Sequence, residues 1–219
     1  RITNTLNIGL SIDARRANTN AAGLDAYPIF MHAIQASPVY KPYNSSGKFN
    51  YINGQPNPVA ETSQSGYDNN RNESFGATMN FEQRLDVLTK GLSLKGTASI
   101  IRNSTFQKIF NTPYLLYKDN DEASLMNVNN LNKTQLNQNI NEEDQVTLNA
   151  SLNYTRQFAK HNVSAVALYE QLENKGFIMG GLKRDFVSDI KDELNASGQL
   201  EQSLSGTSTL GDARRSFVG

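Results

Sequence analysis

Runs of strict apolar–polar alternation constrain the fold of this chain more than any other feature. From Ile2 to Asp13 the even positions are Ile2, Asn4, Leu6, Ile8, Leu10 and Ile12, and the odd ones Thr3, Thr5, Asn7, Gly9, Ser11 and Asp13. Successive side chains of a strand point to opposite faces, so such a run has one greasy and one hydrophilic face. The pattern returns at Phe75–Glu82, at Leu92–Ile100 and, most cleanly, at Val146–Thr155. A further run, Val163–Glu170, is apolar at both phases around Val166–Leu168, and its facing is ambiguous.

The spacing between runs narrows the choice of fold. Ile12 and Phe75 are separated by a long polar stretch, Phe81 and Leu92 by a tight turn at Leu88–Gly91. Ile100 and Val146 are again far apart, Tyr154 and Val163 are joined tightly through Phe158–Asn162, and Tyr169 is far from Arg214–Phe217. Short turns on one side and long loops on the other are the rule in outer-membrane barrels. A soluble β-sandwich alternates too, but nothing imposes that parity on its loops. Its strands also run to about 5–6 residues, against about 9–11 for a tilted membrane strand. The expectation is an all-β fold: part of a transmembrane antiparallel β-barrel, with about five to six strands over residues 1–219. Long extracellular loops are expected at about 15–72, 103–143 and 174–212, with the two tight turns periplasmic.

Hydrophobic residues make up 37% of the chain and mean hydropathy is −0.54, low for a globular core. A barrel needs only one apolar phase per strand, which accounts for both values. No cysteine is present, so disulfides, thiolate metal sites and cysteine nucleophiles are excluded. A net charge of +0 offers no general attraction for nucleic acid, and none is expected as a partner. Ile2 lies inside a run and Ser216–Val218 begins another, so the chain reads as a segment of a larger barrel. An open edge in lipid would leave backbone groups unsatisfied at several kcal/mol each.

The loops have content of their own. Asp25 can cap a helix that carries Pro28 in its first turn and ends before Pro38. Its stripe of Tyr27, Phe30 and Ile34 is expected to pack on the barrel rim. Pro38–Tyr43 and the glycines and prolines to Pro58 form a turn-rich stretch with tyrosines that either contact a solute or partner or pin the loop to itself. In the second loop, Asp119–Glu122 offers clustered carboxylates for calcium, but Ala123 stands at the fifth position of an EF-hand pattern, so a solvated acidic loop is expected. The third loop is expected to hold a short helix from Ser188 to Asn195, ending near Gly198.

No catalytic constellation is present, and the chain is read as a non-enzyme without cofactor or metal. His32 and His161 lie in different segments and read as ordinary surface residues. There is no G-x-S-x-G, Walker-type loop or G-x-G-x-x-G. The candidate functional residues are therefore positional. Thr5, Asn7, Asn80, Glu82, Lys95, Asn149 and Asn153 are expected to face a lumen, and Leu6, Leu10, Phe81, Leu94, Leu148 and Leu152 the outer-membrane lipid. Tyr40, Tyr43, Tyr51 and Tyr67 are the candidate recognition residues of the loops.

Four stretches carry a family resemblance: Leu85–Gly96 with its "KGLSLKG", Ala159–Ala165 ("AKHNVSA"), Leu168–Gln171 ("LYEQ") and Arg184–Ser188 with "RDF". In order and spacing they resemble the SusC/RagA-type TonB-dependent transporters of the outer membrane of Bacteroidetes. The resemblance implies a barrel of roughly 22 strands with a plugged lumen. It further implies import of glycan fragments or peptides, powered by the TonB complex through the plug, beneath a SusD-like surface lipoprotein. No plug domain or TonB box lies within these 219 residues. Two alternatives stay open: a passive porin segment, and a soluble surface adhesin or sugar-binding β-domain.

Overall fold

The computed structural model describes residues 5–51, 53–120, 122–127, 132–186, 192–195, 202–209 and 211–219. Five long antiparallel strands form one sheet: β1 (Leu6–Ala22), β2 (Gly66–Arg84), β3 (Leu92–Asn111), β6 (Gln135–Phe158) and β7 (His161–Arg184). Between β3 and β6 lies a small separate hairpin, β4 (Tyr114–Tyr117) with β5 (Ala123–Met126). Two helices, α1 (Ala26–Gln35) and α2 (Pro58–Gln64), belong to the connection between β1 and β2. This is the antiparallel sheet of a β-barrel segment, and no described helix is long and apolar enough to cross a membrane.

The register sorts the side chains into rows. Residues opposite each other share a face, so Ile8–Phe81–Gly96–Ala150, Leu10–Met79–Ala98–Leu148 and Ile12–Ala77–Ile100–Val146 form apolar rows across four strands. The band is exposed: Leu10 is 68% and Ile12 60% accessible. On the same face, further from the tight turns, the rows become ionic: Ala14–Phe75–Arg102–Asp144, then Arg16–Glu73–Ser104–Glu142. The apolar band thus occupies only the half of the sheet next to the turns.

The strands run well beyond the alternating runs. Strands β6 and β7 each have 24 residues, against the about 9–11 that span a bilayer. The ladder is made by backbone groups and continues through polar sequence where the alternation fades. The connections are correspondingly shorter than expected, because β1 continues to Ala22 and β6 already begins at Gln135. The strand read near Arg214 is β9 (Ala213–Val218), and a further strand, β8 (Gln202–Thr209), precedes it; the two pair end to end with β7. Between them the register slips by one residue, since Gly176 faces Thr209 and Glu173 faces Ala213. Gly211 sits at this bulge against the Asn174 carbonyl, where a Cβ would lie 1.0 Å from the oxygen.

The ambiguous β7 run is resolved by the ladder. Tyr169, Gln171 and Glu173 join the apolar face, whereas Val166, Leu168 and Leu172 join the polar one. Helix α1 starts and stops as expected, although Asp25 makes no side-chain cap bond. Among the described residues its stripe is not packed on the rim: Tyr27 is 71% and Phe30 and Ile34 are each 62% exposed. The expected helix at Ser188–Asn195 falls largely outside the described residues.

Candidate functional site

The polar face carries rows of hydrogen-bonding side chains over the same strand halves as the apolar band. Asn7, Glu82, Lys95 and Ser151 share a row, with the Glu82 carboxylate 3.2 Å from Lys95 Nζ. In the next row Thr97 Oγ1 donates to Asn80 Oδ1 at 2.8 Å, and Asn149 follows between Thr97 and Glu170. Among the described residues Asn149 Oδ1 is buried without a hydrogen-bond partner. Beyond it Thr78 and Ser99 hydroxyls meet at 2.9 Å. Asn153 turns its amide onto Ser151 Oγ at 3.0 Å, and Thr5 precedes β1, where its carbonyl accepts from the Arg84 N–H. All the expected lumen residues in the strands therefore lie on one face, and the row register brings Glu82, Lys95, Asn80 and Asn149 together.

At the opposite end of the sheet the connections form a unit with its own core. Ala60, Tyr114 and Leu116 are buried, with Leu24, Phe49, Tyr51 and Met126 packed against them. The first and second connections are sewn together, since Tyr51 N–H donates to the Tyr117 carbonyl and Tyr117 N–H to that of Phe49, each at 2.8 Å. Asn44 closes the 44–48 turn by accepting from Ser46 and Lys48 N–H, and its amide donates to the Lys118 carbonyl. Asn57 caps α2 by accepting from Val59 and Ala60 N–H, while its amide donates to the carbonyls of Pro42 and Asn50. The third connection is tied in by Asp192, which accepts from the Tyr67 hydroxyl and Lys108 Nζ. The Lys108 ammonium first, then the Tyr67 hydroxyl, hold the Asp192 carboxyl below the usual carboxylate range. Burial, reinforced by Asp192, pushes the Tyr67 phenol up.

The four candidate tyrosines fall into two pairs. Tyr40 and Tyr43 are 48% and 46% exposed, the latter stacked on Phe49. Tyr51 packs on the loop core and Tyr67 lies in β2, its ring 5.7 Å from that of Phe110. The exposed apolar and aromatic side chains of this stretch are therefore Val39, Tyr40 and Tyr43. His32 departs from its expected role as an ordinary surface residue: its Nδ1 lies 2.9 and 3.0 Å from the two oxygens of Glu61, which is 3% exposed. That pair joins α1 to α2 and is invisible in sequence, being 29 residues apart. The cap at Asn57 did carry a signal, because Asn followed by Pro with Glu in the first turn is a helix start. Among the described residues no group of three His, Asp or Glu side chains is placed to hold a metal ion.

Among family models and curated proteins nothing matches the chain. Solved structures do. Over 99% of its length the chain superposes on the RagAB peptide importer in an 'open-open' state, with a TM-score of 0.65 at 17% identity. The fold is that of a stretch of RagAB. The 'closed-closed' state of RagAB matches over 95% of the chain, with a TM-score of 0.62 at 16% identity. In each case the chain spans 23% of the RagAB chain it matches, about a quarter of its length.

Proposed function

We propose that this chain is part of the wall of a SusC/RagA-type TonB-dependent outer-membrane transporter that imports glycan fragments or peptides with a SusD-like surface lipoprotein. The observation that carries this reading is the exposed apolar band across β1, β2, β3 and β6, backed on its other face by paired Asn, Thr, Ser, Glu and Lys. A soluble monomer rarely exposes contiguous apolar surface beyond a few hundred Å². Lipid covers such a band at no cost, and the polar face offers donors and acceptors suited to passage of polar solutes and not to their conversion. The ionic rows above the band mark where hydrocarbon gives way to headgroups. The strand ends beyond them lift the loop unit clear of the bilayer, where Val39, Tyr40 and Tyr43 offer contact area at little entropic cost.

Fractionation tests the reading. The protein is expected in the outer membrane, released only by detergent, with a surface lipoprotein co-purifying. Val39→Ser with Tyr40→Ser should weaken that co-purification and nutrient-limited growth while leaving the barrel assembled. Recovery in the soluble fraction without detergent would overturn the transporter and favour the adhesin reading.

A further inference from the structure

The ionic rows of the apolar face are unevenly charged. On β1 and β2, Arg16 Nε and Arg71 Nε approach the same oxygen, Glu73 Oε1, at 3.4 and 3.6 Å, so two guanidiniums share one carboxylate. One positive charge is left over there. The side chains of Arg16 and Arg71 are 58% and 45% exposed, and among the described residues their terminal Nη groups have no hydrogen-bond partner. Arg71 is further steadied by the Phe106 ring, whose centre lies 5.3 Å from its guanidinium carbon. Arg102, by contrast, is neutralised by Asp144 at 2.6 and 2.7 Å, and Glu142, across Ser104 from Glu73, adds a negative charge on β6. The positive surplus therefore belongs to the β1–β2 end.

Its position along the strands is as informative as its charge. Arg16, Glu73, Arg102 and Ser104 line a hollow of about 380 Å³, to which Ala14 and Phe75 supply an apolar side. The hollow lies where the apolar band meets the ionic rows. Along β3 the band starts at Leu92 and Arg102 follows ten residues on; at about 3.4 Å each and a tilt of about 40°, the rise is about 26 Å. The apolar band of an outer-membrane barrel is about 25 Å tall, so these arginines stand level with lipid phosphates.

We infer that Arg16 and Arg71 bind the phosphate of an anionic membrane lipid, with an acyl chain of that lipid against Phe75 and the band beside it. The charges then balance, since two arginines meet Glu73 and one phosphodiester. A guanidinium presents parallel N–H donors that match phosphate oxygens, and Glu73 holds both at Nε while their Nη groups stay open to the ligand. A free phosphate would meet the arginines but gain nothing from the apolar side. The inference rests on the transporter reading, in which lipid covers the band.

Native mass spectrometry of the complete protein in detergent tests it, with phosphatidylglycerol, the diacylglycerol of the same chains and glycerol phosphate as probes. Phosphatidylglycerol should be retained roughly tenfold or more over either, the scale that two basic groups lend to an anionic headgroup. The double variant Arg16→Gln with Arg71→Gln, at exposed positions, should lose most of that preference. Lys175→Gln, which removes an exposed cation of the same face on β7, should keep it. Equal retention of phosphatidylglycerol and diacylglycerol overturns the inference, as does equal binding of glycerol phosphate. So does an equal loss in the Lys175 variant, which would mean diffuse attraction to the whole belt. The preference is read on purified protein, so its failure leaves the fractionation result untouched, whereas recovery without detergent would sink the transporter reading by itself.

Discussion

Asn57 joins four backbone groups of the loop unit. It caps α2 and donates to two carbonyls from separate turns while only 4% exposed. Asn57→Ala should cost about 0.5–2 kcal/mol, the usual range for a lost cap. Hydrogen exchange should show lost protection over 42–51 and 57–64, with that of β3 and β6 unchanged. At Leu148 and Asn149 the two faces can be compared one residue apart. Leu148 belongs to the apolar band and Asn149 to the polar row. Leu148→Arg should destabilise the assembled barrel by about 2–4 kcal/mol if it sits at the bilayer midplane. Asn149→Arg should assemble nearly normally, and equal yields of folded protein in outer-membrane fractions would refute the facing.

The tight turns show how an element is set by a few contacts. Between β2 and β3, Asp86 accepts from the Gly91 N–H at 3.1 Å and from Arg84 Nη2 at 2.7 Å. The Gly91 N–H first, then the Arg84 side chain, lower the Asp86 pKa. A carboxyl lowered on folding adds stability above its unfolded pKa and loses it as pH falls through the folded one. The turn should therefore be firm at neutral pH and loosen below the ordinary carboxylate range. Gly91 amide exchange, corrected for its intrinsic pH dependence, should accelerate there, and Asp86→Asn should remove that step. Gly91 itself has φ +84 and lies where a Cβ would come within 2.0 Å of the Thr155 carbonyl oxygen, so no other residue fits without shifting β6. The second turn is shorter than its sequence implies: Phe158 pairs with His161 across two residues, with Ala159 at φ 49. No glycine announces it.

For the whole molecule, the two ends of the sheet should meet different compartments. Lys90 lies in a tight turn and Ser46 in the loop unit, both exposed. In intact cells a membrane-impermeant thiol reagent should label Ser46→Cys and not Lys90→Cys; the reverse pattern would invert the orientation. The alternation of Ile8–Ile12, Phe75–Glu82, Leu92–Ile100 and Val146–Tyr154 by itself determined which stretches are strands, which face is apolar and where the chain turns tightly. It could do so because facing follows from a local period of two residues. Tertiary structure alone decided the rest. Strand pairing is made by backbone groups indifferent to side-chain polarity, so it extended β6 and β7 through sequence with no alternation and turned Val166 and Leu168 to the polar face. The bulge at Gly211, the stitching of Tyr51 to Tyr117 and the His32–Glu61 pair each join residues far apart in the chain, and no local pattern encodes a partner chosen by the three-dimensional path between them.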